Sequence, residues 1–278
     1  LSRPARVVPA ADDRDNFVQS LARGLSVIGA LDTPEPLTLS QIAQRAGLSR
    51  AAARRFTHTL ERLGYVREVD RRFALTPRVL ELGSAYLSSL TLPEIALPHI
   101  RKLVEEVRES GVLSVLDGDS IVGVTRVPAY RVMTGRIVLG QRLPAWASAS
   151  GRVLLAGLTP GRLAERLDRV DFKPLTARTI TVRAALEAEL GRVREGGFAL
   201  VDQEVELGLR SLAAPVRDRD GAAVAALALV LNSAAGSIDE VKRTLVPPLL
   251  ASCAQIARDL AASGARLGYT ATFETVGG

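Results

Sequence analysis

The sequence predicts an α+β protein of two domains, and three observations carry that prediction. Its 278 residues exceed what a single hydrophobic core usually holds. Residues 16–75 read as three short helices followed by a hairpin. Beyond Pro93 the texture changes to apolar strands alternating with helices. The expected order is a flexible arm (1–15), a first domain (16–75), a linker helix (76–92), a second domain (93–262) and a C-terminal tail (263–278).

In the first domain, "NFVQSLARGLSVIGAL" places Phe17, Leu21, Leu25 and Ile28 at helical spacing, and "TPEP" (33–36) stops the helix. In "TLSQIAQRAG", Thr38 and Gln41 fit a capping box and Gly47 fits a helix stop. Ser49 is placed to cap the next helix, which runs to about Leu63 before Gly64 ends it. Residues 65–75 alternate on either side of Asp70-Arg71, the pattern of a small hairpin. Thr76-Pro77 then supplies an N-cap and a proline at the first helical position. The helix it opens carries Val79, Leu80, Gly83, Tyr86, Leu87 and Leu90 along one side. That stripe is too apolar for a bare linker, so it is expected to pack on a partner chain or on the chain's own domain.

In the second domain a helix (about 94–109) leads to "VLSVLDGDSIVGVTRV", two strands around an Asp-Gly-Asp turn. Residues 132–139 read as a further strand, and "ASASGRVLLAGL" (147–158) as a loop turning into a helix. Helical patterns follow at 159–169 and 182–195. Residues 198–204, 211–221 and 223–232 read as strands, the last two joined as a hairpin. A long closing helix (237–261) contains Pro247-Pro248, where a bend is expected.

Composition narrows the function classes. Hydrophobic residues make up 47% of the chain and charged residues 24%, the profile of a globular protein. No apolar run reaches bilayer length, and the first residues hold no signal-peptide stretch, so no membrane partner and a cytoplasmic location are expected. The lone Cys253 excludes an intrachain disulfide and a cysteine-rich zinc site. His58 and His99 fall in different domains, which argues against a histidine metal site or a Ser-His-Asp triad. No phosphate loop and no dinucleotide fingerprint is present. No catalytic residue, metal or cofactor is therefore expected, and an enzyme acting through the second domain is the alternative rather than the main reading. The net charge of +6 comes from 33 arginines and 3 lysines against 30 acids. Arginine excess of this kind also arises from genome composition, so placement of the charge decides its meaning.

Placement points to nucleic acid. Two short helices joined by a tight glycine turn make a helix-turn-helix. On the helix after Ser49, the residues Ala53, Phe56, Leu60 and Leu63 cluster on one side, while Ala51, Arg54, Arg55, His58 and Arg62 fall on the other. Small side chains at its start permit close entry into a major groove. Residues 49–72 hold seven arginines against three acids, and Arg71 and Arg72 lie at the hairpin tip, where a wing meets phosphates. Double-stranded operator DNA is thus the expected partner. The expected contacts are Arg23, Thr38, Ser40, Ser49, Arg50, Ala51, Arg54, Arg55, His58, Arg71 and Arg72.

The stretches "FVQSLARGLSVI" (17–28), "AGLSRAAARRFTHTLERLGYV" (46–66), "FALTPRVLELGSAYLSSLTLPEIA" (73–96), "LPAWASASGRVLLAGL" (143–158) and "VDQEVELGLRSLAAPVRDRDG" (201–221) resemble the isocitrate-lyase-regulator (IclR) family of bacterial transcription factors. The likeness is strongest to the subgroup controlling protocatechuate and para-hydroxybenzoate degradation, and it spans roughly residues 16–262. It implies a winged helix-turn-helix domain, a linker helix and a GAF-like effector-binding domain. It also implies homodimers that often pair into homotetramers, and a regulator that responds to a small effector.

In "LPAWASASGR", Ser148, Ala149, Ser150 and Gly151 sit where a loop becomes a helix. Backbone N–H groups there favour an anion, although an N-cap without a ligand has the same appearance. The resemblance implies that this loop closes over the effector. It also carries effector contacts onto Val201, Asp202, Leu209, Ser211, Ala228 and Val230. Relatives often hold polar residues at the last two positions. This chain is more apolar there, which points to an aromatic carboxylate or a close derivative. Arg136 is either a carboxylate partner or a solvent-facing strand residue. Trp146, the only tryptophan, either walls the pocket or packs nearby.

Overall fold

The computed structural model describes residues 17–82, 91–129, 139–234 and 236–263. The chain divides into two compact units, 1–88 and 89–278. The expected arm, residues 132–138 of the expected strand at 132–139 and the tail beyond Ser263 lie outside the described residues, as do Gly83, Tyr86, Leu87 and Leu90 of the linker stripe; Leu139 is in a turn.

The first unit contains α1 (Gln19–Ala30), α2 (Leu39–Ala46), α3 (Arg50–Arg62) and a hairpin of β1 (Val66–Val69) and β2 (Arg72–Leu75). Local chemistry sets each boundary. Thr38 and Gln41 form the complete capping box at the start of α2, and Gly47 ends it in the left-handed region at φ 67°. Ser49 Oγ accepts from the Ala52 N–H at 3.2 Å and so caps α3. Val27, Leu31, Ile42, Ala53, Leu60 and Phe73 share one buried cluster. The stripe expected on α1 supplies only Ile28, which packs against this cluster. Leu21 and Leu25 are exposed, and Val27, Ala30 and Leu31 are buried instead. On α3 the buried positions are Ala53, Thr57 and Leu60, whereas Leu63 follows the last turn and is exposed. Leu37 bridges Phe73 with paired backbone hydrogen bonds of 2.9 and 2.7 Å, so the segment before α2 ties down β2. Thr76 opens a short 3₁₀ turn, Pro77–Val79, with helical backbone continuing over 80–82.

The second unit is built on a six-stranded antiparallel sheet. Its elements, in chain order, are α4 (Thr91–Val107), β3 (Ser110–Asp117), β4 (Ser120–Val127), β5 (Arg142–Pro144), α5 (Ala149–Ala156), α6 (Pro160–Leu167), α7 (Arg183–Gly196), β6 (Ala199–Asp202), β7 (Leu209–Arg217), β8 (Ala223–Asn232) and α8 (Ile238–Ala262). The sheet order is β5-β4-β3-β8-β7-β6. α4 and α8 pack together and cover one face, and α5, backed by α7, covers the other. β5 is an element that the sequence pattern did not reveal. α8 is assigned as one continuous helix through Pro247 and Pro248. Among the described residues no helix is long and apolar enough to cross a membrane.

Candidate DNA-binding and effector sites

α3 presents its buried side to the first unit's core, and this leaves a basic face outside. Arg50, Ala51, Arg54, Arg55 and His58 are all exposed. The guanidinium forks of Arg50, Arg54 and Arg55 make no hydrogen bond or ion pair among the described residues and are available to a partner. His58 leans on Glu61 at 3.4 Å. At the hairpin tip Asp70 and Arg71 both take positive φ, 51° and 59°, the geometry of a two-residue primed turn. Arg71 projects from that tip without a partner among the described residues. Arg72 instead folds back to donate to the Pro36 carbonyl at 3.3 Å. Ser40 and Arg23 are exposed, whereas the Thr38 hydroxyl is engaged in its capping box.

The second unit holds a cavity between the sheet and the start of α5. Its roof is Ser148, Ala149 and Ser150. The Ser148 hydroxyl accepts from the Gly151 N–H at 3.2 Å. The N–H groups of Ala149 and Ser150 find no acceptor among the described residues. They open at the positive end of the helix dipole. The floor comes from strand register. Ala228 pairs with Val112 on β3, and Val230 pairs with Ser211 on β7, which sets these side chains beside one another. Ser114, Ile121 and Gly123 extend the floor toward β4. Gln141 and Leu143 close one side, and Val205 and Leu209 the other. Ser114 and Ser150 are buried, and like Ser211 they hold hydroxyls with no partner among the described residues.

The structure thus brings together Ser148, Ala149, Ser150, Leu209, Ser211, Ala228 and Val230 from the sequence expectation. It places four others elsewhere. Trp146 is buried behind the roof and meets Phe172 edge-on at 5.3 Å. Gly151 sits against the Ala145 backbone, where a Cβ would fall 2.1 Å from the carbonyl oxygen; its role is steric. Val201 belongs to the apolar core. Asp202 is held by Arg210 Nε at 2.8 Å and Arg178 Nη1 at 2.9 Å, so it faces cations of its own chain. Burial works against its charge, but hydrogen bonds from Arg210 and Gln203 and the two guanidinium charges hold its carboxyl below the ordinary value. Arg136 lies outside the described residues. The lining residues that sequence reasoning missed are Val112, Ser114, Ile121, Gly123, Gln141, Leu143 and Val205. Only the tertiary pairing of β3, β4 and β8 brings the first four to one place. The thiol of Cys253 is buried and pushed up to about 12, so it is no nucleophile. Among the described residues no cluster of histidine, cysteine or carboxylate side chains fits a metal ion.

A basic helix-turn-helix with a wing, on a chain whose second unit encloses a small apolar cavity, defines a ligand-responsive transcriptional regulator. The chain belongs to the IclR family: residues 20–70 match the IclR helix-turn-helix domain and residues 84–258 match the bacterial transcriptional regulator IclR C-terminal domain. It is 37% identical over 262 residues to the Pca regulon regulatory protein of Pseudomonas putida, covering 94% of this chain and 90% of that one. A solved Rhodococcus structure is 49% identical, with a TM-score of 0.78 over 89% of this chain and all of the other. An IclR homologue of Microbacterium hydrocarbonoxydans, solved in complex with 4-hydroxybenzoate, is 27% identical, with a TM-score of 0.75, over 88% of this chain and 100% of its own. These are regulators, and they lend the enzyme alternative no support.

Proposed function

We propose that the protein is a cytoplasmic regulator that binds an operator through α3 and its wing, and that its effector is a small aromatic acid or close derivative held in the cavity beneath Ser148–Ser150. One observation carries the effector reading: N–H donors at a helix start, without an acceptor among the described residues, open onto a largely apolar cavity. The donors suit a carboxylate, and Ala228, Val230, Ile121 and Leu143 suit a ring. The complex of the Microbacterium homologue with 4-hydroxybenzoate supports the same ligand class. Arg50, Ala51, Arg54, Arg55 and His58 would meet base edges and phosphates in the major groove, with Arg71 on the backbone beside it. We assign dimerisation to the linker helix 76–92, with Tyr86, Leu87 and Leu90 against a second copy, and pairing of dimers to a tetramer.

Titration calorimetry with 4-hydroxybenzoate, protocatechuate and their amides and hydrazides tests the ligand class. Ser150→Asp puts a negative charge among the donors. It should abolish binding and effector response while leaving operator affinity without ligand intact, since the DNA contacts lie in the other unit. The fold should tolerate an acid near a helix N-terminus. No heat with any of these compounds would sink the ligand class; unchanged binding by Ser150→Asp would move the site.

A further inference from the structure

We propose that the buried Arg152–Glu204 ion pair positions the two walls of the effector cavity and thereby sets its affinity, without touching the ligand. The inference rests on the effector reading given above.

Arg152 is 1% exposed, an extreme burial for an arginine. Its Nη1 and Nη2 donate to Glu204 Oε1 and Oε2 at 2.7 and 2.6 Å, a bidentate fork. Its Nε donates to the Trp146 carbonyl at 3.0 Å. Glu204 Oε2 also accepts from the Ile180 N–H at 3.0 Å, and its backbone carbonyl accepts from Thr179 Oγ1 at 2.7 Å. Thr176 Oγ1 donates to the neighbouring Gln203 carbonyl at 2.7 Å. One ion pair therefore joins the turn before α5, the first turns of α5, the loop after β6 and the segment 176–180.

Stability alone does not account for such a pair. Two apolar side chains of similar volume commonly stabilise a core as well or better, because each buried ion carries a large desolvation cost. What the fork supplies is a fixed distance and orientation. Its location gives that geometry a use. Arg152 stands on the same turn as Ala149 and Ser150, whose N–H groups face the cavity. Glu204 directly precedes Val205, which with Leu209 forms the opposing wall. Neither charged residue lines the cavity, so both act through these neighbours. Donors must stand at the right distance from an apolar wall to hold a carboxylate and a ring together, and a supporting shell left loose forfeits that.

The test replaces the pair in two ways in the full-length protein, using 4-hydroxybenzoate as probe. Arg152→Met with Glu204→Leu removes both charges and leaves neither ion stranded. Arg152→Lys keeps the charge and loses the fork, which guards against misfolding of the double variant. Both should bind operator DNA like the parent in the absence of ligand. Affinity for 4-hydroxybenzoate should fall about tenfold or more in the double variant, and by less in Arg152→Lys. Amide exchange should accelerate at 149–151 and 203–209 but not in β3 or β8. Unchanged ligand affinity in both variants overturns the proposal, even if exchange accelerates, because the pair would then be merely structural. If the parent itself binds no 4-hydroxybenzoate, the ligand class fails. The pair is then judged on exchange alone, and unchanged loop exchange overturns it.

Discussion

Gly151→Ala is the sharpest test of how the cavity roof is seated. A Cβ at this position would lie 2.1 Å from the Ala145 carbonyl oxygen and 2.3 Å from its Cα. Carbon atoms rest at about 3.5–4.0 Å, so the helix start or the turn must retreat by more than ~1 Å. The turn is anchored: the Ala145 N–H donates to the Asp119 carbonyl at 3.0 Å, and Arg152 holds the Trp146 carbonyl. Overpacking costs ~1–3 kcal/mol, and contact with backbone rather than a flexible side chain puts this case near ~3 kcal/mol. Replacing a helical glycine returns ~0.5–1 kcal/mol, leaving a net loss of ~2 kcal/mol. For a domain of ~150–250 residues that lowers Tm by ~4–8 °C. Gly191→Ala within α7 is the control, because nothing stands within 4 Å of its Cβ position. It should raise stability by ~0.5–1 kcal/mol. Scanning calorimetry should show the Gly151→Ala shift in the second unit's transition only. A parent-like or higher melting temperature for Gly151→Ala would refute the reasoning.

Arg54→Ala should weaken operator binding by ~1–3 kcal/mol and relax sequence preference if the side chain reads a base. Arg71→Ala should weaken all sequences alike and reduce the salt slope by about one, measured by fluorescence anisotropy across salt concentrations. Thr57 is fully buried and its Oγ1 has no partner among the described residues, so Thr57→Val should stabilise the first unit by ~1 kcal/mol in urea unfolding. Asp202→Asn should cost ~1–3 kcal/mol at neutral pH. Because the carboxyl of Asp202 is held below its usual 3.8, its contribution is present above that pH and lost as pH falls through the folded value. The parent and variant stability curves should therefore converge in acid.

Local chemistry was legible in the sequence wherever one stretch contains both partners. The capping box of Thr38 and Gln41, the Ser49 cap and the stop at Gly47 each need only a few neighbouring residues, and each stands as read. Non-local choices were not legible. Helical spacing marked Leu21 and Leu25 as a stripe, but periodicity does not say which side of α1 meets α2, and Val27, Ala30 and Leu31 took that place. The same limit hid half of the cavity. Ser148–Ser150 announce a helix start, whereas Ser114 and Gly123 meet only through the β3–β4 register, which shifts between Leu113 and Ser114. A bulge of that kind leaves no mark in composition. Asp202 shows another non-local choice. The family resemblance carries an effector contact onto it, and Arg210, directly across on β7, and Arg178 engage its carboxylate.

The pairing of these charges has a consequence for how the cavity treats a ligand. Arg152 is neutralised by Glu204, and Asp202 by Arg210 and Arg178, whereas Arg126, opposite Val112 on β4, has no ion-pair partner among the described residues. The described lining itself contains no charged side chain. A carboxylate beneath Ser148–Ser150, as proposed above, would be met by backbone dipoles and hydroxyls of the described lining. The start of a helix is equivalent to about half an elementary charge and favours an anion by ~0.3–2 kcal/mol. The apolar floor of Val112, Ala228 and Val230 would reward the ring of such an acid and of its neutral derivative alike. If the effector is the aromatic acid proposed above, the described lining holds its ring by apolar contact and its carboxylate by dipoles and hydroxyls.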